Sequence, residues 1–208
     1  MSETTEFHHR FQPPKGGSSR TILVLHGTGG DESSLFPIAE ALDPDAAVLS
    51  VRGKILENGA ARFFRRLAEG VFDLEDLNFR THELADFVFS AASRYGFDLD
   101  NIYAAGYSNG ANVAASMMFL RPEVLAGGIL LRAMVPFEPE PSHRLAGKRV
   151  FVSEGKHDPL VPLDNADKLA NLLRSLGADV TLHWVDLDHR IGRSEIEEAA
   201  RWLSLHSM

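Results

Sequence analysis

The sequence predicts an α/β fold, a mostly parallel sheet with helices on both faces. Two observations carry this. Short apolar runs recur along the chain with no polar alternation, as in strands buried on both sides, and stretches of helical period separate them. Strands that alternate with helices make parallel crossovers, which cover the sheet above and below.

The first strong run is TILVLHG (21–27), and AAVLSV (46–51), NIYAAGY (101–107), GGILLRA (127–133), RVFVSEG (149–155) and DVTLHWV (179–185) follow. Each is rich in aliphatic residues and has the length of a strand. EFHHRF, near the start, is a weaker candidate for an antiparallel edge strand. Leu84, Phe87, Val88, Ala91 and Tyr95 form one apolar stripe on a helix spanning roughly 81–96. In DNADKLANLLRSLG, Asp164 reads as an N-cap and Gly177 as the stop, with Leu169, Leu172, Leu173 and Leu176 on one face. The last helix carries Ser194 and Glu197 in capping-box spacing, with Ile196, Ala199, Ala200 and Leu203 facing the core. Residues 52–79 and 134–148 lack periodicity and read as loops over one end of the sheet.

Bulk properties narrow the function. With 44% apolar residues over 208 positions, the chain can bury one large core, so residues 1–208 are expected to form one domain. Lys and Arg number 21 against 29 Asp and Glu, a net charge of −8, which argues against nucleic acid because a phosphate backbone requires a basic face. The opening MSETTEFHHR has no basic stretch followed by an apolar run, and no segment reaches the length of a membrane span. A soluble, cytoplasmic protein is the expectation. No cysteine is present, which excludes disulfides, thiolate metal sites and a cysteine nucleophile.

Chemistry concentrates around Ser108. In NIYAAGYSNGANVAASMM a strand runs through Gly106-Tyr107-Ser108-Asn109-Gly110 into a helix of small residues. A serine at such a sharp strand-to-helix turn projects its hydroxyl above the sheet, and flanking glycines are needed where a Cβ would strike the neighbouring strand or helix. The helix N-terminus beside it favours developing negative charge.

A serine hydroxyl becomes a nucleophile only when an oriented base takes its proton. For this architecture the order along the chain is serine, acid, histidine. His189 lies between the strand DVTLHWV and the final helix, at the same sheet edge as Ser108. His183 lies inside that strand and reads as a packed imidazole, while His143 and His206 fall in a proline-rich loop and the tail. Asp158, in the loop after RVFVSEG, is the expected acid. Asp186 and Asp188 read as local turn residues. His157 and Asp158 do not read as a metal pair, because adjacent side chains in extended backbone point apart. The oxyanion hole needs two backbone donors. Asn109 supplies one, and Thr28, in the glycine-rich HGTGGDE after the first strong strand, supplies the other. HGTGGDE lacks the spacing and the lysine of a phosphate-binding loop.

LHGTGGDE, GYSNGAN, GKHDPLVP and DHRI before an amphipathic helix resemble the small carboxylesterase/phospholipase family of α/β-hydrolases over nearly the whole chain. VRGKILENGAARFFRRLAEGVFDLEDL further resembles its hydroquinone-type hydrolase branch. The resemblance implies an α/β-hydrolase fold and a serine esterase without cofactor, often a homodimer. It also implies Ser108, Asp158 and His189 as triad, with Thr28 and Asn109 at the oxyanion. Asp188 departs from it, since many relatives carry glycine before the histidine.

The short stretch between the strand at 127–133 and the next leaves no room for a cap domain, so an open site for small esters is expected. Phe63, Phe64, Phe72 and Met134, with Phe137, are candidates to line the substrate pocket, because such pockets are mostly apolar. Arg65 and Arg66 read as a solvated face. A peptidase or acyl-thioesterase on the same scaffold, or a binding protein without turnover, are the alternatives.

Overall fold

The computed structural model describes residues 6–140 and 145–205. Its centre is a seven-stranded sheet. β1 (His9–Gln12), β2 (Thr21–Leu25), β3 (Ala47–Val51), β8 (Ile102–Tyr107), β9 (Gly127–Leu131), β10 (Arg149–Gly155) and β11 (Asp179–Val185) take the spatial order β1-β3-β2-β8-β9-β10-β11. β1 pairs antiparallel with β3, and every other pairing is parallel.

All five residues of β2 are buried, because their side chains alternate between two cores. Leu23 and Leu25 join the core beneath α2 (Leu74–Tyr95), α3 (Asn109–Leu120) and α4 (Leu163–Ser175). Ile22 and Val24 join the opposite core, closed by α1 (Phe36–Leu42) and α5 (Arg193–Ser204) through Phe36, Ile196 and Trp202. Truncating one such aliphatic side chain to alanine costs about 2–5 kcal/mol.

The order of strands places the site. The chain leaves β2 for β3 on one side, then crosses back to β8 on the other, so strand order reverses between β2 and β8. Loops that follow two strands at such a reversal open a crevice above their carboxyl ends. Leu25 pairs with Gly106, which brings the turns after both strands to the same height.

Several local expectations are corrected. α2 begins at Leu74, capped by Asp73, which accepts from the Asp76 amide. Residues 52–79 include two small hairpins, β4 (Ile55–Glu57) with β5 (Ala60–Arg62) and β6 (Arg66–Ala68) with β7 (Val71–Phe72). Strands of two or three residues are too short to show a period. Pro162 caps α4 and leaves Asp164 inside its first turn. Gly192 caps α5, and the box is closed by Glu195, whose Oε1 accepts the Gly192 amide at 2.6 Å, so Ser194 and Glu197 lie within the helix. Among the described residues no helix is long and apolar enough to cross a membrane, and no cap domain interrupts the fold.

Candidate active site

Ser108 stands between β8 and α3 with φ 51° and ψ −114°. This conformation is costly for a residue with a side chain, and it persists only where the surroundings enforce it. They do so by close packing. A Cβ on Gly106 would come within 2.6 Å of the Gly110 carbonyl oxygen, and one on Gly110 within 2.0 Å of the Leu25 oxygen. The Ser108 amide donates to the Leu131 carbonyl at 2.9 Å, which pins the turn to β9.

The structure brings Ser108, His189 and Asp158 together. Ser108 Oγ is 3.0 Å from His189 Nε2, and His189 Nδ1 is 2.7 Å from Asp158 Oδ2. Asp158 Oδ1 accepts the amides of Leu160 and Val161 at 2.8 and 3.2 Å, so this carboxylate is held by the turn it begins. Its side chain is fully buried, whereas His189 keeps 20% exposure toward the cavity. An acceptor on Nδ1 fixes the tautomer that leaves Nε2 free to take a proton.

The histidine loop is held at every carbonyl from 187 to 190. The His157 amide donates to the Leu187 oxygen at 3.0 Å. Arg132 donates from Nε to the Asp188 oxygen at 3.1 Å and from Nη2 to the Arg190 oxygen at 2.6 Å. Tyr107 Oη donates to the His189 oxygen at 2.9 Å. Gly155 makes room beneath, since a Cβ there would lie 2.4 Å from the Asp188 oxygen. The Asp188 carboxylate pairs with Arg190 at 2.9 and 3.0 Å, which holds its pKa below the usual range.

Arg132 itself sits at φ 58°. Three following amides are each taken by a side chain from a different element: Ala133 by Glu154 Oε1 at 2.7 Å, Met134 by Asn112 Oδ1 at 2.8 Å and Val135 by Asn165 Oδ1 at 2.8 Å. Burial pushes the Glu154 carboxyl up to about 9, so it is carried as the neutral acid.

Thr28 and Asn109 both border a cavity of about 370 Å³ that also contains Ser108 and His189. Neither of their backbone amides has an acceptor among the described residues. The segment 61–63 braces this corner. The Gly29 amide donates to the Ala61 oxygen at 2.9 Å, Arg62 Nη1 to Thr28 Oγ1 at 2.7 Å, and the Phe63 amide to Asn109 Oδ1 at 2.7 Å. His26 Nδ1 donates to the Gly27 oxygen at 2.7 Å while Nε2 accepts the Gly53 amide at 3.0 Å. Burial lowers the pKa of this imidazole, in keeping with its neutral, one-donor role.

Phe72 and Met134 line the cavity, but Phe63 and Phe64 do not. Both are buried in the core, at 2% and 0% exposure. Phe63 packs on the His26 ring at 4.8 Å and Phe64 meets the edge of Phe72 at 5.1 Å, so they support site residues from behind. Phe137 likewise packs against Phe119. Arg66 borders the cavity instead of lying on a remote solvated face, while Arg65 is exposed and pairs with Asp73. His183 is half-buried in β11 beside Phe151, and His157 pairs with exposed Asp186. Among the described residues no group of three or more His, Asp or Glu is arranged to hold a metal ion. His143 and His206 lie outside the described residues.

Sequence reasoning missed Tyr107, Arg132 and Glu195 as supports. One signal was visible: a charged residue, Arg132, closes the apolar run GGILLRA. A cation there needs buried partners.

A family model described as Phospholipase/Carboxylesterase matches residues 75–207, well over half of the sequence. The chain belongs to the phospholipase/carboxylesterase family. A member of similar sequence is MhqD of Bacillus subtilis (strain 168), 46% identical over 188 residues, which span 90% of this chain and 94% of that protein. Among solved structures, the Bacillus cereus carboxylesterase is 48% identical with a TM-score of 0.94, covering 97% of this chain and 95% of its own. YahD, in a structure described with malic acid, is 33% identical with a TM-score of 0.90, covering 96% and 99%. Both solved structures thus share the sheet and its helices with this chain over almost its whole length.

Proposed function

We propose that the chain is a serine carboxylesterase that cleaves small esters through an acyl-enzyme on Ser108. The observation that carries this reading is the path from Ser108 Oγ to His189 Nε2, 3.0 Å, and from His189 Nδ1 to Asp158 Oδ2, 2.7 Å, at the wall of a cavity. Kinship with the Bacillus cereus carboxylesterase supports it further.

His189 takes the proton of Ser108 as the oxygen attacks the ester carbonyl. The carbonyl oxygen becomes an oxyanion, which the backbone amides of Thr28 and Asn109 receive. Each such donor contributes about 3 kcal/mol to the transition state. Asp158 accepts from Nδ1 throughout, which stabilises the imidazolium. His189 then returns the proton to the leaving alcohol. Water, deprotonated by the same imidazole, attacks the acyl-enzyme and releases the acid and the free serine. No cofactor enters these steps. Phe72 and Met134 provide apolar contact for the substrate.

A fluorophosphonate probe tests this directly. Wild type is expected to be labelled at Ser108, with loss of labelling in Ser108→Ala and in parallel loss of phenyl ester hydrolysis. Persistent hydrolysis by Ser108→Ala overturns the reading.

A further inference from the structure

Two arginines on the cavity wall have no use in the steps above. Arg62 is 4% exposed at its side chain, yet among the described residues its only ionic partner is Glu57 Oε2, 3.4 Å from Nε. That same carboxylate already receives Arg66 Nε on both oxygens, at 2.9 and 3.1 Å. Two guanidinium groups therefore share one carboxylate. Arg62 Nε also meets the Phe64 oxygen at 3.2 Å, and Nη1 donates to Thr28 Oγ1, but Nη2 has no acceptor among the described residues. Neither Nη atom of Arg66 has one. Both residues border the cavity that contains Ser108.

A buried cation with a shared partner is costly, and the cost falls when an anion takes its free N–H groups. Burial and the neighbouring Arg66 charge both lower the Arg62 pKa, as expected of an undercompensated pair. The third arginine of the wall, Arg132, is matched by Glu195 and offers nothing. Among the described residues Glu69 is the one acidic residue bordering the cavity, and it is exposed, where water screens it far more than it screens Arg62. The positive side therefore dominates the inner wall. A planar guanidinium fork matches a carboxylate on two oxygens.

We propose that Arg62 and Arg66 form a carboxylate-binding subsite, so that the preferred esters carry a free carboxylate near the scissile bond. The Arg62 contact to Thr28 sets the subsite beside the oxyanion corner. This rests on the serine esterase reading for its chemistry, but not for the binding of the acid.

Arg62 is buried and its loss endangers folding, so Arg66→Gln is the variant to use. Release of phenols is followed for two pairs, monophenyl glutarate against phenyl valerate, and 4-acetoxybenzoate against phenyl acetate. The first pair places the acid in the acyl half, the second in the alcohol half. In wild type the charged member of at least one pair is expected to lead by tenfold or more in kcat/KM, and Arg66→Gln to reduce that ratio by about tenfold. Ratios near one in both pairs, with the neutral esters turned over, overturn the subsite. Glutarate titrated by calorimetry separates the two claims. Glutarate binding that weakens about tenfold in Arg66→Gln, with no ester cleaved, leaves the subsite standing and removes the esterase. Glutarate bound equally by both proteins, or by neither, overturns the subsite.

Discussion

Arg132 and Glu195 form a two-pronged ion pair with neither side chain exposed: Nη1 lies 2.9 Å from Oε2 and Nη2 2.9 Å from Oε1. Ser153 Oγ donates to the same Oε2 at 2.7 Å, and the Gly192 amide to Oε1. One carboxylate thus caps α5, anchors β10 and orients the arginine whose remaining N–H groups hold the carbonyls on either side of His189.

Removing one member of a buried pair leaves the other charge unpaired, at a cost of about 3–5 kcal/mol. Arg132→Met is expected to lose stability of that order in urea unfolding. The double variant Arg132→Met/Glu195→Leu is expected to regain much of the stability, because both charges are gone, yet to keep a reduced kcat, because the carbonyls of 188 and 190 have lost their donor. Recovery of both quantities together would show that the pair serves stability alone.

Asp158→Asn is expected to lower kcat by about four orders of magnitude with little change in KM, as a triad acid that fixes the tautomer requires. Its Oδ1 remains an acceptor for the amides of Leu160 and Val161, so the fold should survive. Circular dichroism alongside ester kinetics checks both parts, and a kcat within tenfold of wild type would remove Asp158 from the mechanism.

The four apolar candidates divide in two. Phe64→Ala is expected to cost about 3–5 kcal/mol of stability, as for a fully buried aromatic ring. Phe72→Ala and Met134→Ala should instead alter KM across a series of acyl lengths, with small stability changes. Thermal unfolding paired with that series separates the groups, and Phe72→Ala behaving like Phe64→Ala would contradict its place on the cavity wall.

Glu154 gives a pH dependence with a definite sign. Burial raises its pKa from 4.5 to about 9, so between these values the folded protein keeps a proton that the unfolded chain releases. The contribution is complete below pH 4.5 and is lost as pH rises toward 9. Glu154→Gln, whose side-chain oxygen still accepts the Ala133 amide, is expected to gain stability over wild type progressively from pH 5 to 9. Melting temperatures at several pH values measure this, and a difference that stays flat with pH refutes it.

Much of the geometry around Ser108 was legible because its causes are local. Glycines at 106 and 110 are demanded by hard contact between one turn and the strand beside it, and their spacing survives in the sequence. Asp158 and His189 could be found because both follow strands and so share an edge with Ser108. Arg132 and Glu195 are 63 residues apart and meet only through the sheet, so no spacing announces them. Ser194 with Glu197 offers as good a capping pattern as Gly192 with Glu195; burial of Glu195 against Arg132 decides between them. Phe63, Phe64 and Phe72 are indistinguishable by type, and hairpins of two or three residues give no period to tell inward from outward.

Tyr107 and Ser108 are neighbours in the chain, and the first grips the backbone of the residue whose ring meets the second. Ser108 and the backbone of His189 are therefore both tied to the end of β8. Leu67 and Val71, exposed on the second hairpin, make none of these contacts, so substitution there leaves the spacing of His189 and Ser108 untouched.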